Sequence, residues 1–186
     1  LENSTNAYGC NGLTEVTDMI FSVKYTISNK LLAESNLRSY YTGSDGEFIY
    51  KNNYTLPIGF AINEQSASKM NFMTANNGIE NQNLMIQNMT GISDVFTVVD
   101  EFPNESDCTI KPQKDGHLYL IAANQSVDYI TVTLNNSDKS YSYSNLKSNN
   151  RIIDVGYVTK SDTVEVTAET GMNLTAYMLD SDKLIK

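Results

Sequence analysis

The sequence predicts a mainly β fold, with a jelly-roll-like antiparallel β-sandwich over residues 94–186 and a smaller α+β part over residues 1–93. After residue 94, short runs rich in β-branched and aromatic residues recur about every ten residues, separated by polar turns, as in sandwiches and jelly rolls. Helical spacing of apolar residues is found in the first half. With 40% hydrophobic residues, a chain of 186 residues can bury a core. The two parts can equally form one merged domain.

Two helices are predicted in the first half. Apolar residues at helical spacing predict a short helix over 13–21, with Thr14 and Thr17 as candidate caps. A second helix is predicted over 80–88, and Gly91 stands where a helix would stop.

Strands and a hairpin are predicted between these helices. Alternation over 22–28 predicts a strand with Tyr25 pointing inward. Gly, Ser and Asp at 42–46 predict the turn of a hairpin. Alternation over 58–62 predicts a further strand that starts after Pro57, where a missing amide hydrogen is tolerated.

The second half predicts a series of short strands and one long loop. The segment 101–116 is assigned to the loop, because it contains Pro103, Pro112 and many charges. The predicted strands are 95–99, 118–122, 129–134, 140–144, 152–158, 163–167 and 174–179.

Charge and hydropathy exclude several function classes. The net charge of -9 and scattered basic residues argue against nucleic acid as a partner, since phosphate binding needs clustered Lys and Arg. The same charge disfavours tight docking on an anionic lipid surface or a polyphosphate. The longest apolar run, 118–123, has the length of a strand and cannot span a bilayer.

The sequence assigns no catalytic residues, and it predicts no cofactor. There is no G-x-S-x-G elbow and no phosphate-binding loop. The single histidine, His117, is interpreted as a side chain at the start of a strand, bonded to a neighbouring loop. Facing carboxylates of a glycosidase can be neither identified nor excluded before the chain is folded.

The sequence also predicts no metal site. One histidine and two dispersed cysteines do not match a zinc motif. The oxygen-rich segments 135–138 and 180–182 are interpreted as solvated turns, although calcium is harder to exclude there. Cys10 and Cys108 could form one disulfide in an oxidising exterior, but unpaired small apolar residues are the preferred interpretation.

Tyr141 and Tyr143 are the candidate glycan-binding residues. They alternate with serines in a predicted strand, so both rings share one face, about 6.6 Å apart. Rings at this spacing could stack under adjacent pyranose units. The simpler alternative places both tyrosines in the core and the serines in solvent.

Five short segments of the first half form a recognisable series. They are YKNNYTLPIGF at 50–60, ENQNL at 80–84, GISDVF at 91–96, NAYGCNG at 6–12 and FSVKY at 21–25. Together they resemble the extracytoplasmic region of the YfhO family of multi-pass bacterial membrane proteins. The resemblance runs from about residue 6 to residue 96. The order and spacing of the segments carry more weight than any single motif.

The resemblance implies a location and a role. Members are associated with sugar transfer onto cell-envelope polymers of the lipoteichoic acid type, and are similar in outline to membrane glycosyltransferases with lipid-linked donors. The chain would be excised from a larger parent, on the extracytoplasmic face of the plasma membrane, with the catalytic acids elsewhere in that parent. Its expected partners are the transmembrane portion of that parent and an envelope glycan or teichoic acid. It would recognise the acceptor or act as a scaffold.

Two alternatives remain open at the level of the sequence. One is a free-standing, secreted carbohydrate-binding or adhesion module, and the other is a fragment of a secreted glycosidase. Apolar segments of about twenty residues upstream would distinguish the membrane parent from both.

Overall fold

The computed structural model describes residues 13–28, 35, 37–44, 46–70, 75–122, 127–135, 140–143 and 152–185. Its helices are α1 (Glu15–Ile20), α2 (Glu64–Lys69), α3 (Gly78–Thr90) and α4 (Ser181–Leu184). Its strands are β1 (Tyr25–Ser28), β2 (Arg38–Ser44), β3 (Glu47–Asn52), β4 (Phe96–Ile110), β5 (Gly116–Ala122), β6 (Ile130–Leu134), β7 (Ser140–Tyr143), β8 (Ile152–Val158) and β9 (Val164–Leu179). The prediction of a mainly β protein is confirmed.

Both predicted helices are confirmed, together with their end signals. Thr14 and Thr17 form a capping box at the start of α1, in which each side chain accepts the backbone N–H of the other residue. The Asn77 side chain caps α3. Gly91 ends α3 in the left-handed conformation with φ +81°, which glycine adopts without a steric penalty.

The predicted hairpin lies in a small antiparallel sheet with the strand order β1-β3-β2. One face of this sheet carries Tyr50, which is fully buried, and it packs towards α1. The inward orientation predicted for Tyr25 is wrong, because its side chain is 44% exposed on the opposite face. The small sheet therefore covers the molecule with one face and presents the other to solvent.

The strand predicted over 58–62 is wrong. This stretch has no strand pairing, and Ile58 is 97% exposed. After β3 the chain leaves the sheet, and the Leu56 N–H bonds to the Met19 carbonyl of α1 at 2.9 Å. Alternation alone does not form a strand where no neighbouring edge is available for pairing.

The long loop predicted over 101–116 is also wrong. Strand β4 continues to Ile110 and pairs with β9 along most of its length. Pro103 lies where the pairing register shifts between Phe102 and Glu105, so its missing amide hydrogen interrupts no regular pairing. Next to it, Asn104 has φ +57° and donates its N–H to the Asn173 side chain at 2.9 Å.

The large sheet is built around β9, which joins the two strands predicted over 163–167 and 174–179. Strand β4 pairs with one edge of β9. The other edge is shared, since β6 pairs with the first half of β9 and β5 with the second half. Strand β7 extends the sheet beyond β6, and β8 extends it beyond β5. Register shifts between β4 and β9 let the ribbon bend, so that the sheet curls around a core.

Two hydrophobic cores lie on opposite faces of β5. Leu118 and Leu120 belong to the core inside the curled sheet, whereas Tyr119 and Ile121 belong to a second core under α1 and α3. All seven residues of β5 are buried. The α+β part therefore packs on the outer face of the large sheet. The jelly-roll arrangement and the domain boundary at 93/94 stay predictions.

Candidate functional site

Five charged side chains, which we call the His117 cluster, lie where the small sheet, α1 and the large sheet meet. The His117 imidazole is 2.6 Å from Asp154 through Nε2 and 3.3 Å from Glu15 through Nδ1. The Arg38 guanidinium is 3.4 Å from Asp18 and 3.8 Å from Asp154. Asp154 keeps 28% of its side chain exposed, while the other four are almost completely buried.

The charges of the cluster stabilise one another. Burial acts to lower the pKa of His117, but the charges of Asp154 and Glu15 outweigh it and raise this pKa to about 10. Burial acts to raise the pKa of both Asp154 and Glu15, and the attraction of His117 and Arg38 leaves each of them lowered. For Asp18 burial prevails, and its pKa is raised. At neutral pH His117 is therefore an imidazolium between two carboxylates.

The position of the cluster makes it a connection between elements. His117 and Asp154 belong to neighbouring strands of the large sheet, whereas Glu15 comes from α1 and Arg38 opens β2. Near them, the Glu15 N–H bonds to the Tyr119 hydroxyl at 3.1 Å. The cluster fixes α1 and the small sheet on the large sheet, and its buried members are out of reach of a substrate.

The interpretation of His117 is partly corrected. It does lie near the start of β5, but its partners are carboxylates of β8 and α1, not a neighbouring loop. Neither Glu15 nor Asp154 carries a local sequence signal, because each is one acidic residue among 22. A single histidine at the start of an otherwise apolar strand is the only hint that charges would be needed nearby.

The solvent face of the small sheet carries two exposed aromatic rings, and we call it the Tyr25–Tyr41 face. Tyr25 and Tyr41 are 44% and 60% exposed, and their ring centroids are 5.4 Å apart in an edge-to-face arrangement. Ile27, 69% exposed, lies on the same face opposite Ile49. Natural sheets seldom leave so much aromatic surface in water without a partner.

Tyr41 lies on this face at an irregularity of β2. The pairing of β2 with β3 shifts between Tyr40 and Thr42, which leaves Tyr41 between them. Tyr40 packs against buried Tyr50 on the inner face, whereas the ring of Tyr41 reaches Tyr25. The sequence signal was the pair of adjacent tyrosines before a turn, which alternation alone would place on opposite faces.

Polar groups border these rings. Lys51 and Ser39 lie in register with Tyr25 on the same face, and the Ser39 hydroxyl donates to the Asn53 side chain at 2.9 Å. The ammonium of Lys24 lies 5.9 Å from the centre of the Tyr25 ring. Exposed rings beside amine, hydroxyl and amide groups suit a ligand that has apolar faces and hydroxyl groups.

The predicted glycan residues Tyr141 and Tyr143 lie on β7, opposite Val132 and Ile130 of β6. Tyr143 packs against the core of the curled sheet, and its hydroxyl donates to the Asp154 carbonyl at 3.0 Å. The side chain of Tyr141 lies outside the described residues. Glycan binding by this pair stays a prediction.

Thiols and acidic side chains occupy structural positions. Cys108 is a free thiol, 3% exposed, and burial raises its pKa to about 11, while Cys10 lies outside the described residues. Asp180 caps α4, and residues 136–138 of the other oxygen-rich segment lie outside the described residues. Among the residues described, no group of three or more His, Cys, Asp or Glu side chains is placed to hold a metal ion.

Comparison with protein-family models finds a match over more than half of the chain. A family model described as bacterial membrane protein YfhO matches residues 1–107, a range that contains α1 to α3 and the small sheet. No curated protein and no solved structure matches the chain. In the described parts of the chain, no helix is both long and apolar enough to cross a bilayer.

Proposed function

The chain belongs to the YfhO family of bacterial membrane proteins, and from this premise we propose that it is an extracytoplasmic region that recognises and orients an envelope glycan. The acceptor would be a polymer of the lipoteichoic acid type. The sugar-transfer chemistry would take place in the membrane-embedded part of the parent chain. The large curled sheet serves as the support on which the small sheet is held.

The Tyr25–Tyr41 face carries this proposal. Its two rings lie side by side and are open to solvent, whereas on the other face Tyr50 is fully buried and Tyr40 beside it is 46% exposed. A pyranose ring has an apolar face that stacks on an exposed aromatic ring. Hydroxyl or phosphate groups around the sugar would find Lys51 and Lys24 as donors.

Buried contacts hold the sheet beneath this face. Arg38, the first residue of β2, is held in the His117 cluster three positions before Tyr41. The Asn52 amide of β3 donates to the Val23 carbonyl, two residues before β1. Rings on a sheet that is anchored in this way would lose less conformational entropy when a ligand binds, which favours a preformed glycan site.

Titration with deacylated lipoteichoic acid tests the proposal. The chain has no tryptophan, so intrinsic fluorescence reports tyrosines directly. We expect Tyr41→Ala to weaken binding by about tenfold, since it removes one stacking surface. Tyr54→Ala is the matched control, because Tyr54 is as exposed as Tyr25 but lines another groove, beside Met19 and Leu56.

Other variants separate the possible outcomes. Loss of binding in Tyr141→Ala, with Tyr41→Ala unaffected, would move the glycan site to β7. No response of the wild-type protein at millimolar glycan would remove the recognition role and leave a scaffold for the membrane part. Circular dichroism spectra of all variants must match the wild type for either conclusion.

A further inference from the structure

An open apolar groove lies between α1 and α3 at the surface of the α+β part. Its volume is about 360 Å³, and none of the nine residues that line it is charged. Three methionines and two phenylalanines supply much of its wall. The lining residues are Thr17, Ile20, Phe21, Phe60, Met70, Asn81, Gln82, Met85 and Met89.

The rim of this groove is unusually exposed for apolar side chains. Phe21 is 68% exposed and Phe60 is 40% exposed. Ile58, two residues before Phe60, is 97% exposed. Exposed phenylalanines in the wall of an uncharged groove indicate a contact surface.

We propose that this groove, together with the exposed side chains of Phe21, Phe60 and the nearby Ile58, docks on the surface of the lipid bilayer. The matched family is one of membrane proteins, and every residue of the groove lies within the matched range 1–107. Side chains of this kind enter the boundary between headgroups and acyl chains, and an uncharged groove leaves no ion to desolvate there.

The distribution of charge is compatible with apolar insertion in this orientation. The chain has a net charge of -9, so attraction to anionic headgroups does not drive the contact. Four acidic residues lie on β4, away from the groove lining, at Asp100, Glu101, Glu105 and Asp107. The exposed Lys69 directly precedes the groove residue Met70, and its long stem can carry the ammonium out to the headgroups. Docking therefore depends on apolar insertion and is insensitive to salt.

The inference is independent of glycan recognition, because it concerns other residues and another partner. Bilayer docking would set the height and orientation of the Tyr25–Tyr41 face above the membrane. The two can fail separately. Tyr41→Ala is expected to bind vesicles as the wild type does, and loss of glycan binding leaves vesicle binding in place.

A single introduced tryptophan tests the contact directly. In Phe21→Trp, the only tryptophan of the chain stands on the rim, and we expect its emission to shift to shorter wavelength when phosphatidylcholine vesicles are added. The shift should persist in high salt. The matched probe Val98→Trp, at a 51% exposed position of β4, should not respond.

Flotation with the same vesicles measures the binding itself. In the double variant Phe21→Ser with Ile58→Ser, the fraction that floats should fall on the order of tenfold, because two inserted side chains are lost. The control Val98→Ser with Tyr129→Ser should float like the wild type. Both double variants change exposed positions, and circular dichroism checks their folding.

Three results would overturn the proposal. The first is that both double variants float to the same extent. The second is that the protein binds only vesicles that contain phosphatidylglycerol, and that this binding is lost in high salt. The third is that the emission of Phe21→Trp does not shift when vesicles are added. A wild-type dimer in lipid-free sedimentation, converted to monomer by the Phe21→Ser and Ile58→Ser pair, would assign the groove to a second copy instead.

Discussion

His117 shows what one buried charge contributes to this molecule. It is the single histidine, 3% exposed, and it faces carboxylates from α1 and from β8. A buried ion pair adds little net stability compared with an apolar replacement, but removal of one partner leaves charges uncompensated. Its role is to set the position of α1 and β2 on the large sheet.

We expect His117→Gln to lower the free energy of unfolding by about 3 kcal/mol, because Glu15 and Asp154 lose their shared cation. Urea denaturation followed by circular dichroism measures this. The control is Lys114→Gln, which breaks a more exposed pair with Asp180 at 3.6 Å and should cost less than about 1 kcal/mol. Equal losses in the two variants would remove the structural role of the cluster.

The stability of the protein should also depend on pH through His117. Its pKa is raised from 6.5 to about 10 in the folded protein, so between these values the folded state binds the proton more strongly. The stabilisation is complete below pH 6.5 and is lost as the pH rises through about 10. Unfolding free energies measured from pH 6 to pH 10 should fall more steeply for the wild type than for His117→Gln. Parallel curves would contradict the assignment of an imidazolium.

At this scale the sequence predicted residue types better than their surroundings. The helix caps at Thr14 and Gly91 were predictable, since a cap depends on residues within one turn. The orientation of Tyr25 was not, because alternation shows which residues share a face and not which face is covered. Likewise, Glu15 lies 104 residues from the Tyr119 hydroxyl that its N–H contacts, a distance that no local pattern spans.

At the scale of elements, the β4–β9 ribbon decides the architecture. Gly171 lies opposite its bulge, and a Cβ at this position would be 2.6 Å from the Asn104 Oδ1 and 2.9 Å from the Asn104 carbonyl oxygen. Only a residue without a side chain lets the two backbones approach in this way. The close approach of β4 and β9 at this bulge therefore depends on a glycine at position 171.

Gly171→Ala should destabilise the protein by about 1–3 kcal/mol, because the backbone at the bulge must move. Thermal unfolding measures the change as a lower Tm. Gly59→Ala is the control, since a Cβ added at Gly59 would meet nothing within 4 Å beyond its chain neighbours, and it should be neutral or slightly stabilising. An unchanged Tm in Gly171→Ala would show that the bulge tolerates a side chain.

Most elements could be predicted from the sequence, and the two errors concern strand pairing, which no local pattern shows. The helices and the hairpin have their signals within a few residues. The segment 101–110 was misassigned because prolines and charges usually mark loops, whereas here a bulge accommodates Pro103 and solvent accommodates the acids. The strand predicted over 58–62 is wrong for the opposite reason: the segment has the alternating apolar pattern, but no neighbouring strand pairs with it. Pairing is a property of the folded sheet.

At the scale of the whole molecule, the two cores are coupled through β5 and β9. Tyr119 and Tyr177 pack under the helices, while their neighbours Leu118 and Met178 pack inside the curled sheet. Loss of either core would expose one face of the same strands. The α+β part and the large sheet are therefore expected to unfold together.

Urea unfolding should show a single transition. Far-UV circular dichroism and labelling of buried Cys108 in a Cys10→Ser variant should give the same midpoint, as a two-state transition requires. An earlier loss of helix signal, while Cys108 is still protected, would show that the α+β part unfolds independently of the large sheet.

We propose that an envelope glycan binds to the small sheet of this region. The most direct measurement is an amide chemical-shift map of the isotope-labelled chain, titrated with deacylated lipoteichoic acid. We predict that the largest shifts cluster on β1, β2 and β3 around Tyr25 and Tyr41, and that they vanish in Tyr41→Ala. Shifts confined to β7, or no shift at millimolar glycan, would contradict the claim.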